Sequence, residues 1–221
     1  MLIIGITGPS GGGKSTFAKM LSEWLYNAIL IHVDDFMYES VRYYQTDFSR
    51  IFGLPIFERN DVKTFRQAVI QSGLREWREY LNLILPYMNT RIDKALMDVE
   101  VPGVCVVIEW FHLPFSRVWK HSNYRAIIDA SDQDIRRARL LMRMLNREEY
   151  KQYSVEELRK SIEMKDELSG MSFNNLKDCM EIKNNYDELT LQHEAVRIAG
   201  VINKYSPESG DLTKKVRKKY V

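Results

Sequence analysis

Gly8-Pro9-Ser10-Gly11-Gly12-Gly13-Lys14-Ser15-Thr16 is the stretch whose reading decides the fold. It fits the pattern of a glycine, four residues, a second glycine, a lysine and a serine or threonine, with Gly8 and Gly13 as the spaced glycines. The apolar run Leu2–Thr7 before it reads as a buried strand, and residues 17–25 after it carry the apolar spacing of a helix. A strand, a glycine-rich turn and a helix start in that order make an anion cradle. Glycine allows backbone angles and close approaches that a Cβ forbids. The turn's N–H groups and the positive end of the helix then face a polyphosphate. On this reading Gly8, Ser10, Gly11, Gly12, Gly13, Lys14, Ser15 and Thr16 wrap the phosphates of a nucleotide. Lys14 neutralises the β- and γ-phosphates and Ser15 offers a hydroxyl to Mg2+, so ATP and Mg2+ are the expected cofactors. A glycine-rich turn with a surface lysine is the bland alternative, and the flanking strand and helix argue against it.

Composition bounds the rest. The chain has 221 residues, enough for one α/β domain over 1–221 with a small helical insertion. Hydrophobic residues at 45% and charged residues at 28% suit a globular protein, and a net charge of +2 gives no reason to expect nucleic acid as a partner. Cys105 and Cys179 are too few for a disulfide framework or a cysteine zinc site, and the histidines at 32, 112, 121 and 193 lack metal-ligand spacing. No apolar run approaches the ~20 residues of a membrane span. The chain opens on a core strand, which leaves no room for a signal peptide, so a cytoplasmic location is expected. A monomer or weak homo-oligomer acting on a small-molecule hydroxyl acceptor is expected, with no nucleic-acid or membrane partner.

Residues 28–33 form a second strand that ends in Asp34-Asp35. Ligands gather beyond the carboxyl ends of strands in open α/β sheets, so a carboxylate there meets the substrate. Either aspartate accepts a hydroxyl proton or holds Mg2+ through water, and the spacing does not choose between them; helix capping is the structural alternative. The aromatics of residues 37–56, with Arg42 and Arg50, either line a pocket or pack a small lid. Residues 61–71 read as a helix, and 74–97 as a strongly periodic one that Pro86 kinks or breaks. A nearly all-apolar run at 104–108 ends in Glu109, which either assists Mg2+ or pairs with an arginine. After a strand at 124–129, a helix from Asp132 carries Arg136, Arg139 and Arg143 on one face. From a lid these cations would reach a transferring phosphoryl group, unless they are a solvated face paired with the acids at 148–157. Ser154 and Glu157 read as a capping box, residues 180–185 as a candidate strand, 188–204 as a closing helix and 212–220 as a basic tail.

These features resemble the phosphate-loop small-molecule kinases, dephospho-coenzyme A kinases most of all, over nearly the whole chain. The resemblance rests on Phe52-Gly53 with Arg59, Leu81-Asn82 with Pro86, the loop from Glu109 to Pro114, Gln133 with Arg136, and Asn184-Asn185. It implies a five-stranded parallel sheet, a helical substrate-binding insertion at about 37–98 and a lid at about 136–170. It also implies γ-phosphoryl transfer from ATP to dephospho-coenzyme A, a step of coenzyme A biosynthesis, with Asp34 or Asp35 as the catalytic base. The chain departs from that family at Leu85, where a histidine is usual, and at Val33-Asp34-Asp35-Phe36. The latter segment and Ile108-Glu109 are instead similar to uridine and nicotinamide riboside kinases. A guanine-nucleotide switch is the rival class, but its Asn-Lys-x-Asp segment is matched only by Asn203-Lys204-Tyr205-Ser206, without the aspartate.

Overall fold

The computed structural model describes residues 1–54, 68, 70–99, 101–173, 176, 178–185 and 187–205. Its middle layer is a parallel sheet of β1 (Leu2–Thr7), β2 (Ala28–His32), β3 (Cys105–Glu109), β4 (Tyr124–Ala130) and β5 (Met180–Asn184), in the order β2-β3-β1-β4-β5. Central β3 is buried at every position, as an uninterrupted apolar run between two covered faces must be. Alternate residues serve opposite faces: Cys105 and Val107 join one core cluster, Val106 and Ile108 the other. The strand order reverses beside β1, so the loops leaving β1 and β3 open onto a shared crevice, the place where such sheets bind ligands.

Helix α1 (Lys14–Trp24) connects β1 to β2, and α8 (Glu188–Tyr205) closes the chain. Phe17 and Leu21 of α1 pack with Ile198 and Ile202 of α8 against Ile4 and Ile6 of β1. The opposite face carries α2 (Asp34–Tyr43), α3 (Gln45–Phe52) and α4 (Leu74–Asp98), all between β2 and β3. The short α5 (Arg117–His121) precedes β4, and α6 (Gln133–Leu145) and α7 (Val155–Phe173) lead to β5. The capping box read from the sequence at Ser154 and Glu157 is formed, and Asp132, not read as a cap, also caps its helix. Asp132 accepts from the N–H groups of Asp134 and Ile135 at 2.9 Å, and Ser154 exchanges hydrogen bonds with Glu157.

Two stretches differ from the sequence reading. Residues 37–56 gave no helical expectation, yet α2 and α3 occupy most of them. Their aromatics pack rather than line a pocket: the rings of Phe48, Phe52, Trp77 and Tyr80 sit at centroid distances of 4.6–6.1 Å, and Tyr80 shares a 2.8 Å hydrogen bond with Ser40. Aromatic residues are poor helix formers, so tertiary packing decides these helices. Pro86, for its part, does not break α4, which runs continuously from Leu74 to Asp98. The proline costs one backbone bond, because it has no N–H to give the carbonyl of Asn82. The helix expected at 61–71 lies almost wholly outside the described residues, as do Arg59 and the tail at 212–220. Among the described residues no helix is long and apolar enough to cross a membrane.

Candidate active site

The loop from Gly8 to Gly13 is held by its surroundings at every turn. A Cβ on Gly8 would lie 2.1 Å from the Ile128 carbonyl oxygen, so the loop can enter beside β4 only as glycine. Gly13 has φ +98° and caps α1, and a Cβ there would meet the Asn184 side chain at 2.4 Å. Three carbonyls of the loop are tied down from outside or within. Pro9 accepts from the Gly12 N–H at 3.0 Å, Ser10 from Arg136 Nη1 at 2.8 Å, and Gly12 from Asn184 Nδ2 at 2.8 Å. The first-turn N–H groups of α1 have no partner within the helix and remain available to an anion.

Lys14 is the first residue of α1 and is only 9% exposed, with its Nζ 6.0 Å from the centroid of the Phe111 ring. Ser15 Oγ lies 3.2 Å from both carboxylate oxygens of Glu109, the last residue of β3. Glu109 is buried and also lies 3.5 Å from His32 Nδ1 at the end of β2. Burial alone would raise its pKa, but hydrogen bonding from His32 and the charge of Lys14 outweigh that, and the net displacement is downward. Glu109 therefore stays ionised beside the hydroxyl of Ser15. His32 in turn has a raised pKa, chiefly through Glu109.

The two aspartates part company at the first turn of α2. Asp34 is half-buried and its pKa is raised, first by burial, against the opposing pull of Lys14, with Glu109 and Asp35 adding repulsion. It thus shares a charge environment with the lysine and the Glu109 carboxylate. Asp35 is exposed and lines a different cavity, between edge strand β2 and α4, together with Arg91 and Lys94. Spacing could not separate neighbours in sequence; the 100° step of a helix does.

The arginines of α6 also divide. Arg136 is 1% exposed; besides the Ser10 carbonyl it bonds Gln133 Oε1 at 2.7 Å and pairs with Asp166 of α7, which Arg137 also holds at 2.7 Å. Its guanidinium fastens the loop to α6 and α7, which differs from the expectation that it reaches a phosphoryl group from a lid. Arg136, Leu140 and Met144 form the buried stripe of α6, a four-residue spacing legible in the sequence. Arg139 and Arg143 lie one residue round from that stripe and are exposed. They line a cavity of about 390 Å3 with Gly11, Gly13, Thr16 and Asn184, on the α6 side of the loop.

Lys165 on α7 was not singled out from the sequence. Burial, with the positive charges of Arg147 and Lys14, pushes its pKa down to about 8. A lone lysine in a charged amphipathic helix carries no signal of this kind; only the packing of α7 over the loop reveals it. Among the described residues, no group of three or more His, Cys, Asp or Glu side chains is arranged as a metal site. The oxygen pair Ser15 and Glu109 suits Mg2+, which keeps several waters and takes the rest of its shell from substrate phosphates.

No protein-family model matches this chain, and no curated protein matches it. Solved structures do. The chain is similar to TT1252 from Thermus thermophilus, with a TM-score of 0.59 and 20% identity over 91% of this chain and 97% of that one. It is also similar to the dephospho-CoA kinase from Campylobacter jejuni, with a TM-score of 0.50 and 16% identity over 91% of this chain and 97% of that one. The fold is that of a phosphate-loop kinase. At these identities the likeness concerns the fold alone.

Proposed function

We propose that the protein is an ATP-dependent phosphotransferase that moves the γ-phosphoryl group to a hydroxyl of a small nucleotide-like metabolite, with dephospho-coenzyme A as the leading acceptor. The observation that carries this reading is the convergence of Lys14, Ser15–Glu109 and Asp34 at the carboxyl ends of β1, β2 and β3. The loop from Gly8 to Thr16 would hold the nucleotide's phosphates, and the cavity beside Arg139, Arg143 and Asn184 would receive its remainder. Ser15 and Glu109 would hold Mg2+, which would supply charge neutralisation on the phosphates.

Asp34 acts as the general base. Its carboxylate takes the proton of the acceptor hydroxyl as the new O–P bond forms and the bond to the ADP oxygen breaks. Lys14 and Lys165 stabilise the charge on the transferring group, and Arg136 keeps the loop in shape without touching it. The acceptor assignment draws on the resemblance at Phe52-Gly53, Asn82, Pro86 and Asn184. The segment Asp34-Asp35-Phe36 supports the second reading, a uridine- or nicotinamide-riboside-type nucleoside kinase. Lys14→Ala tests the donor side. ATP turnover should disappear with the fold intact by circular dichroism, and retained turnover would remove the loop from the mechanism.

A further inference from the structure

Strand β2 stands at the end of the sheet order, so one of its sides has no strand beside it. Asn27 accepts from the Cys105 N–H and Val33 donates to the Glu109 carbonyl, each at 3.1 Å. Bonding direction alternates along a strand, so Ile29 and Ile31 also face β3, while Ala28, Leu30 and His32 turn their N–H and C=O groups outward. No described residue bonds those groups. An open edge of this kind is a template for a further strand, and folded proteins usually blunt it with a charge, a proline or a bulge. The segment Ala28-Ile29-Leu30-Ile31 carries none of these.

A groove of about 360 Å3 runs along this edge between β2 and α4, and its charges balance, Arg91 and Lys94 against Asp35 and Asp98. Their order along the groove is fixed. Arg91 lies toward the His32 end, with its guanidinium carbon 5.2 Å from the centroid of the Phe36 ring. It pairs with Glu39 at 2.7 Å and keeps 31% of its side chain exposed. Asp98 ends α4 toward the Ala28 end, because the chain passes from there into β3 at Cys105, which is level with Ala28. Met97, beside Asp98, is 73% exposed.

We propose that this edge is the interface of a symmetric homodimer, in which two copies of β2 pair antiparallel about a two-fold axis at Leu30 and make one continuous sheet. Leu30 then faces Leu30 of the second copy and Ala28 faces His32, so the outward groups satisfy one another with about six backbone hydrogen bonds. The same axis exchanges the ends of the groove. Arg91 of each copy meets Asp98 of the other, and Met97 comes level with the apolar wall of Ile29, Ile31 and Phe36. A two-fold contact must complement itself, and a balanced face with opposite charges at its opposite ends does so. A strongly acidic or basic partner would meet repulsion from half of these charges.

Sedimentation velocity of the full chain over about 1–100 µM tests the pairing, and wild type should pass from one chain to two across that range, as a contact of modest size does. Leu30→Ala trims the side chain but keeps the N–H, so this variant should still dimerise. Leu30→Pro removes an outward N–H that β3 does not use, a change an edge strand tolerates. It should abolish the dimer and leave a monomer that is folded by circular dichroism. Asp98→Lys sets like charges face to face and should weaken the dimer at least ~tenfold, and adding Arg91→Glu should restore it to within about threefold of wild type. Should Leu30→Pro fail to fold, the charge variants decide alone. Wild type that stays monomeric throughout overturns the inference and leaves the edge to a different partner. A dimer that survives in folded Leu30→Pro or in Asp98→Lys overturns it too, because it forms elsewhere. A double variant no tighter than Asp98→Lys overturns the two-fold arrangement.

Discussion

Arg136→Met separates a residue that holds the phosphate loop from one that acts on the phosphoryl group. The guanidinium is 2% exposed as a side chain and paired with Asp166, itself 16% exposed. Breaking a buried pair from one side costs about 3–5 kcal/mol. Asp166 keeps Arg137 at 2.7 Å, which places the cost at the low end, near ~3 kcal/mol. The Ser10 carbonyl, left without its donor, adds about 1 kcal/mol. For a chain of this size each kcal/mol lowers Tm by roughly 2–4 °C, so thermal unfolding should shift down by about 8–16 °C. Exposed Arg139 makes the comparison. Arg139→Met should move stability by no more than about 1 kcal/mol, the scale of an exposed polar contact, while weakening ATP binding. The measurement is a pair of thermal melts with parallel ATP titrations. An Arg136→Met protein that melts within about 2 °C of wild type but loses more than ~100-fold in turnover would refute the structural role, because only a group acting in the transition state behaves so.

Two further outcomes follow from the charges around the loop. Asp34→Asn should lower kcat by at least ~100-fold with ATP affinity retained, whereas Asp35→Asn should stay within about threefold, read by steady-state kinetics. The raised pKa of Asp34 means that stability present below the unfolded carboxylate pKa is lost as pH rises through the folded value. At neutral pH Asp34→Asn should therefore raise Tm, and the acid limb of kcat should sit above the ordinary carboxylate range. On the proposed reading Lys165, with its pKa near 8, attracts phosphate only when charged. ATP affinity measured by calorimetry should fall between pH 7 and pH 9, and Lys165→Met should flatten that slope.

The loop and the sheet were legible because their signals are local. Glycines at fixed spacing demand a particular backbone, and apolar runs such as that of β3 demand burial on both faces. The expected five-stranded parallel sheet is the one formed. Glu109 and the pair Asp34-Asp35 were marked by their place at strand ends, a rule of topology rather than of side-chain type. What stayed hidden depends on which way a helix turns. Asp34 and Asp35 differ by one helical step, and Arg136 differs from Arg139 by facing the buried stripe through Leu140 and Met144. His32 and Lys165 left no trace, since each is defined by partners distant in sequence: Glu109 and Lys14.

The central claim is transfer of the γ-phosphoryl group to a hydroxyl. It is tested most directly by incubating the protein with Mg2+ and γ-32P-labelled ATP in the presence of dephospho-coenzyme A, uridine, cytidine or nicotinamide riboside, and separating the products. Label should appear on one acceptor, dephospho-coenzyme A first, and should vanish with Lys14→Ala. Release of labelled inorganic phosphate with no labelled acceptor, or hydrolysis of GTP in preference to ATP, would contradict it.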